Sequence, residues 1–229
     1  MKILAFICVG LGLTLALIYL QSQLVFGYDQ ARDAFEAYAI WHNHDLKILG
    51  PSTDIPGVFH GVLWYYFLAI INFLGKSPQG GATIALFAFF LSVPLVGWVT
   101  AKLFKKPAVT YLAVSLYVLS PLFQVFTRWL SNPTLALLIT PLFLLSLWSY
   151  LQKPQKRFAF FSGLFFGGLI QAQFAYAILL ALLPIFLWYF HRRLSLHQLL
   201  AFIGGLLLTT GSFLVAEIKF GGQAITGLT

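Results

Sequence analysis

The sequence predicts an all-α, polytopic transmembrane protein with about seven crossings and juxtamembrane helices in its first outer loop, and three observations carry that expectation. Sixty per cent of the 229 residues are hydrophobic and only 9% are charged, with a mean hydropathy of +0.88; a soluble globule could not hide so much apolar surface. Apolar runs close to 20 residues long, the length an α-helix needs to cross about 30 Å of hydrocarbon, recur along the chain. The basic residues fall in small groups between those runs, as they do where they report topology. The formal charge of +8 forms no long tract, so no nucleic-acid partner is expected. A lone Cys8 excludes an intramolecular disulfide.

Taken in order, the apolar runs are 3–20, 82–104, 107–127, 132–150, 158–173, 175–190 and 198–216, with a shorter one at 58–74. The first follows Met1-Lys2, and the succeeding "QSQLVFG" offers no small-residue cleavage site, which predicts a retained helix. Lys102, Lys105 and Lys106, then Lys153, Lys156 and Arg157, then Arg192 and Arg193 form three basic groups, each separated from the next by a pair of runs. The positive-inside rule puts all three beside Lys2 in the cytoplasm, which requires an odd number of crossings between the first helix and Lys102. Segment 58–74, with Trp64, Tyr65 and Tyr66 suited to the interface, is therefore expected to lie along the outer face without crossing. On this map the first outer loop spans 21–81, and Asp29, Asp33, Glu36, Asp45, Asp54 and Glu217 are all extracytoplasmic.

The stretch "GYDQARDAFEAYAIW" at 27–41 reads as an amphipathic helix lying on the membrane. Asp29, Arg32, Asp33 and Glu36 recur at helical spacing on one face, and Ala31, Ala34, Phe35 and Tyr38 form the other. An ordinary surface helix with an Arg32–Glu36 pair is one reading; a charged outer site is the other. The following "ILGPSTDIPGVFHG" holds two prolines and three glycines, which suits a turn folding the loop back over the bilayer.

A second feature is expected on the same side. "SPLFQVFTRWLSNPTLALL" ends one helix near Pro121–Thr127, exposes Arg128 and starts another at Ser131-Asn132-Pro133, where Ser131 or Asn132 can cap and Pro133 fits the first turn. A helix start beside a permanent cation can seat a phosphate; a capped turn with a snorkelling arginine fits the residues equally well. Gln171 and Gln173 at membrane depth either glue helices together or line a cavity. His42, His44 and Asp45, with His60 further on, are spaced as a weak metal signal; a divalent metal stays open there, behind interfacial hydrogen bonding. His191 and His197 flank a cytoplasmic turn, and Gly167-Gly168 and Gly204-Gly205 suit close helix packing. The chain has no phosphate-binding Gly-rich loop ending in Lys-Ser/Thr, no GxSxG and no cysteine pair.

In order and spacing, "YDQARDA", "ILGP", "GVFHGVLWYY", "SP" followed by "RWLSNP", and "AEIKF" at 216–220 resemble the bacterial glycosyltransferase family 39 and its relatives. These are membrane enzymes of the protein O-mannosyltransferase and aminoarabinose-transferase type, with the GT-C fold. The resemblance implies an integral protein of the bacterial inner membrane. Its donor would be a polyprenyl-phosphate-linked sugar, and its acceptor a hydroxyl of a lipid, glycan or protein on the extracytoplasmic side. It implies inversion, with Asp29 as general base, and a leaving phosphate stabilised by Arg128, Arg32 and the helix start at Asn132. Asp33, His60, Tyr65, Gln171, Gln173 and Glu217 complete the candidate site.

The chain also departs from the family pattern. Gln30 stands where many relatives carry Glu, Val62 where Pro is common, and Asn132 where protein-mannosylating relatives carry Asp. Those relatives continue through further helices, so the chain is expected to be a single transmembrane module over 1–229 that lacks their carboxyl-terminal part. A transporter or lipid flippase is the competing class, and a non-catalytic degenerate relative a third. Mid-span ionisable residues, the mark of the former, are scarce.

Overall fold

The computed structural model describes residues 1–182, 184–185, 188, 195–222 and 226. It is all-helical, with no strand beyond two isolated bridges among the described residues. Two compact units emerge, Met1–Leu46 with Tyr65–Pro141, and Lys47–Trp64 with Leu142–Thr229. Arg192, Arg193, His191 and part of the run expected over 175–190 lie outside the described residues.

The first unit begins with α1 (Lys2–Gln23) and α2 (Tyr28–Asn43). It continues through most of α3 (Leu63–Gly75), then α4 (Pro78–Phe90), α5 (Ser92–Phe104), α6 (Pro107–Leu119) and the short α7 (Pro121–Phe126). Its buried stripe on α1 consists of Ala5, Gly12, Ala16 and Leu20, and α1 packs on α6 along it. Small side chains let helices approach where lipid supplies no hydrophobic drive between them. The outward face of α1 carries exposed Ile3, Phe6 and Ile7, a surface compatible with acyl chains.

The run expected over 107–127 as one helix is broken. Ser120 is extended and caps α7, its Oγ accepting from Phe123 N–H at 3.2 Å, and Pro121 takes the first position. Proline lacks the donor and the room that a continuous helix requires, so the chain restarts there. Ser92, the first residue of α5, is buried and bonds to the Phe89 carbonyl at 2.6 Å and to the Tyr117 hydroxyl at 2.8 Å.

A 3₁₀ turn (Asn132–Leu135) leads into α8 (Ala136–Gln152), and the two units divide at its internal Pro141. In the second unit, α9 (Lys156–Ala172) and α10 (Leu196–Lys219) pack together along much of their length, and a 3₁₀ segment (Phe174–Leu182) follows α9. The contact is set by glycine: a Cβ on Gly163 would strike the Phe202 carbonyl oxygen, and one on Gly205 the Phe160 carbonyl oxygen. Gly163 and Gly167 are four apart, the spacing that aligns small residues on one helix face. The same unit holds the 50–60 loop as a tight antiparallel turn, with His60 N–H donating to the Pro51 carbonyl at 2.8 Å and Gly50 N–H to the His60 carbonyl at 3.2 Å. Gly57 sits at its tip at φ 79°, a conformation that excludes most side chains.

Four helical segments among the described residues are long and apolar enough to cross a membrane: Lys2–Gln23, Pro78–Phe104, Asn132–Gln152 and Leu196–Lys219. They coincide with four of the seven expected runs. Of the segment 58–74 expected to lie on the membrane face, the part from Leu63 on is helical, in α3, whose 13 residues extend only about 20 Å at 1.5 Å per residue.

Candidate functional site

Helix α2 opens on Gly27, whose N–H donates to Gln30 Oε1 at 2.9 Å. Gln30 is buried and reaches back to satisfy one of the donors exposed at a helix start. A glutamate oxygen could accept the same bond.

The charged face of α2 is turned into the protein. Gln30, Asp33, Ala37 and Ile40 are buried, Arg32 and Glu36 are half-buried, and Ala31, Phe35 and Tyr38 face outward. An ordinary solvated surface helix would show the reverse. Exposed Phe35 and Tyr38 on a helix beside membrane-length helices suit the interface, while the inward charges satisfy one another.

Arg32 is the hub of that inward face. Its Nε and Nη2 donate to Asp33 Oδ1 at 2.9 and 2.8 Å, and its Nη1 lies 3.0 Å from Asp29 Oδ1. The two carboxylates differ sharply: the side chain of Asp33 is 3% exposed and that of Asp29 is 68% exposed. Asp33 therefore anchors the guanidinium from inside, and Asp29 remains at the rim, oriented but open to a second partner. Burial works against the Arg32 charge, yet the hydrogen bond and charge of Asp33 outweigh it and raise the guanidinium above its ordinary value. Buried Tyr65 belongs to the same cluster. Its burial first, and then the Asp33 carboxylate, push its phenol well above the ordinary range, with Arg32 pulling the other way.

Arg128 belongs to the same unit. It is half-buried, which differs from the exposed position expected from sequence. Its guanidinium lies 4.9 Å from the Tyr19 ring centroid and donates through Nη1 to Gln23 Oε1, while its Nε is buried without an acceptor among the described residues. A parallel bridge between Val25 and Trp129 sets this loop beside the α1–α2 connection. Tyr19 and Gln23 escaped the sequence reading; their signal was the i, i+4 spacing of polar groups at the end of an otherwise apolar run.

The helix start after Arg128 also differs from expectation. Ser131 stands at the cap position without a side-chain cap bond; Thr134 Oγ1 donates to the Ser131 carbonyl at 2.6 Å, and Thr134 N–H to the same carbonyl at 3.0 Å. Pro133 takes the first turn as expected, and Asn132 is buried. The first turn is 3₁₀, closed by the Thr134 N–H bond to the carbonyl three residues back.

In the second unit, Gln171 acts as a clasp. It is 2% exposed, its Nε2 donates to the Thr209 carbonyl at 2.7 Å and to Ser212 Oγ at 2.8 Å, and its Oε1 accepts from Leu63 N–H at 3.2 Å. Its amide capacity is thus engaged within the protein. Gln173 ends α9 and is half-buried. Glu217 and Thr210 are the polar members of an otherwise apolar cavity of about 430 Å³ between the 57–59 turn and α10. His60 is half-buried in the same loop. His42 stacks on Tyr38 with centroids 4.7 Å apart, and His44 ends α2 in the left-handed conformation. Among the described residues no group of three or more His, Cys, Asp or Glu side chains is arranged to hold a metal ion.

The structure thus gathers Asp29, Arg32, Asp33 and Tyr65 into one cluster and sets Arg128 and Asn132 on the neighbouring loop of the same unit. His60, Gln171, Gln173 and Glu217 belong to the other unit. No protein-family model matches the chain, and neither a curated protein nor a solved structure gives a significant match.

Proposed function

We propose that this chain is a membrane glycosyltransferase of the GT-C type, moving a sugar from a polyprenyl phosphate to an acceptor hydroxyl at the outer face of a bacterial inner membrane. The observation that carries the reading is the inward charged face of α2, with Asp33 buried against Arg32 and Asp29 left at the rim. The reading takes seven crossings with the amino terminus inside. The Asp29 carboxylate accepts the proton of the acceptor hydroxyl as that oxygen attacks the anomeric carbon. The anomeric C–O bond to phosphate breaks on the opposite side, the configuration inverts, and the bond's electrons leave on the lipid phosphate. Arg128 meets that growing charge, supported by the Tyr19 ring and by Gln23. Arg32 is a positioning residue that holds Asp29 at 3.0 Å.

One observation favours a second reading, a non-catalytic relative: the arginine nearest the proposed base is spent on both carboxylates, as a helix anchor would be. Purifying the chain from bacterial membranes and identifying its co-purifying lipid by mass spectrometry tests the donor class; a polyprenyl phosphate or its glycosyl ester is expected. Turnover of that donor should fall by about 10² to 10⁴-fold in Asp29→Asn at unchanged protein abundance. Unchanged turnover removes the base, and absence of any polyprenyl lipid removes the donor class.

A further inference from the structure

A cavity of about 570 Å³ lies in the first unit where the second half of α2 meets the α3–α4 corner. Tyr38, Trp41, Asn72, Phe73, Lys76 and Ser77 line it. Three features point to an anionic, amphipathic occupant. The Trp41 indole nitrogen is buried and has no hydrogen-bond acceptor among the described residues; indole N–H is donor only, so an external oxygen is the partner that would satisfy it. Lys76 is exposed, held by the backbone in the left-handed conformation at φ 56°, and has no salt-bridge partner among the described residues. Finally, Ile70, Phe73 and Leu74 form an exposed apolar strip on α3, and the adjoining α4 opens the membrane-length segment Pro78–Phe104.

We infer that this cavity seats the headgroup of an anionic phospholipid, with phosphate oxygens accepting from Trp41 Nε1 and paired with Lys76, and acyl chains running down Ile70, Phe73 and Leu74. Aromatic rings with a polar edge favour this depth, and a lysine at an anionic surface adds attraction that a zwitterionic lipid does not repay. The phosphate, the cation and the apolar strip together select a lipid over a soluble anion. The site does not depend on sugar transfer.

The test reconstitutes the full chain in phosphatidylcholine vesicles doped with acyl-brominated phosphatidylglycerol or acyl-brominated phosphatidylcholine. Quenching of Trp41 is read as the difference between the wild type and Trp41→Phe, which keeps the ring against Phe73. Stronger quenching by the anionic lipid is expected. Lys76→Asn, chosen because asparagine tolerates the left-handed backbone, should reduce that preference about fivefold, the worth of one lysine at an anionic surface. Native mass spectrometry of the unmodified protein should retain a phosphatidylglycerol adduct over a phosphatidylcholine adduct, a readout that needs no variant. Equal quenching by the two lipids, or a preference that survives Lys76→Asn, overturns the proposal. Relief of quenching by inorganic phosphate also overturns it, because the cavity would then be a free-anion site.

Discussion

Replacing Asp33 by Asn should destabilise the protein far more than the same change at Asp29, although the two carboxylates share one arginine. Asp33 is 3% exposed on its side chain and accepts two bonds from Arg32, at 2.9 and 2.8 Å. Removing one member of a buried pair costs about 3–5 kcal/mol. Two features reduce that figure here: asparagine keeps an acceptor oxygen, and the Arg32 side chain is 25% exposed with Asp29 still 3.0 Å away. A loss of about 2–3 kcal/mol follows from that range. Asp29 is 68% exposed, so its pair is worth at most about 1 kcal/mol. Arg32→Gln should exceed both single changes, because it takes the cation away from a buried carboxylate. The assay is equilibrium unfolding of the purified chain in detergent, with the Asp33→Asn and Arg32→Gln changes combined in a double-mutant cycle. The combined loss should fall short of the sum. Equal losses at Asp29 and Asp33, or full additivity of Arg32 and Asp33, would show that the buried fork is not what holds α2.

The glycine contact in the second unit makes a sharp contrast between adjacent positions: Gly205→Leu should lower stability by at least 1–3 kcal/mol, roughly the range for overpacking, whereas Gly204→Leu should be tolerated because no atom of the described residues lies within 4 Å of a Cβ there. Thermal unfolding in detergent reads both, and a tolerated Gly205→Leu would refute the close approach of α9 and α10. Burial and Asp33 raise the Tyr65 phenol above its ordinary value of 10. Below pH about 10 the folded and unfolded chains both keep that proton, so the contribution of Tyr65 is intact. As pH rises further the unfolded chain ionises first and stability falls. A spectrophotometric tyrosinate titration should show a late-titrating phenol that disappears in Tyr65→Phe; an unchanged late fraction would remove Tyr65 from the Arg32 cluster.

The amino-acid sequence by itself determined the helical, membrane-compatible character of the chain, because hydropathy over a window of about 20 residues is a local property. It also determined the two-faced pattern of α2, since helical periodicity acts within a few residues; the restart at Pro121 is equally local in cause, the missing proline donor, but hydropathy alone reads 107–127 as one run. Which face of α2 turns inward was a tertiary decision. The same stripe of Asp29, Arg32, Asp33 and Glu36 can meet water or protein, and only the surroundings of Tyr65 and the buried Asp33–Arg32 fork select protein. Tertiary structure likewise decided that Arg128 leans on Tyr19 and Gln23, and that Gln171 joins Leu63, Thr209 and Ser212. Each of these contacts joins residues 38 to 109 positions apart in the chain. Side-chain partners chosen over such distances are fixed by how helices pack, and packing leaves no period in the sequence from which to read them.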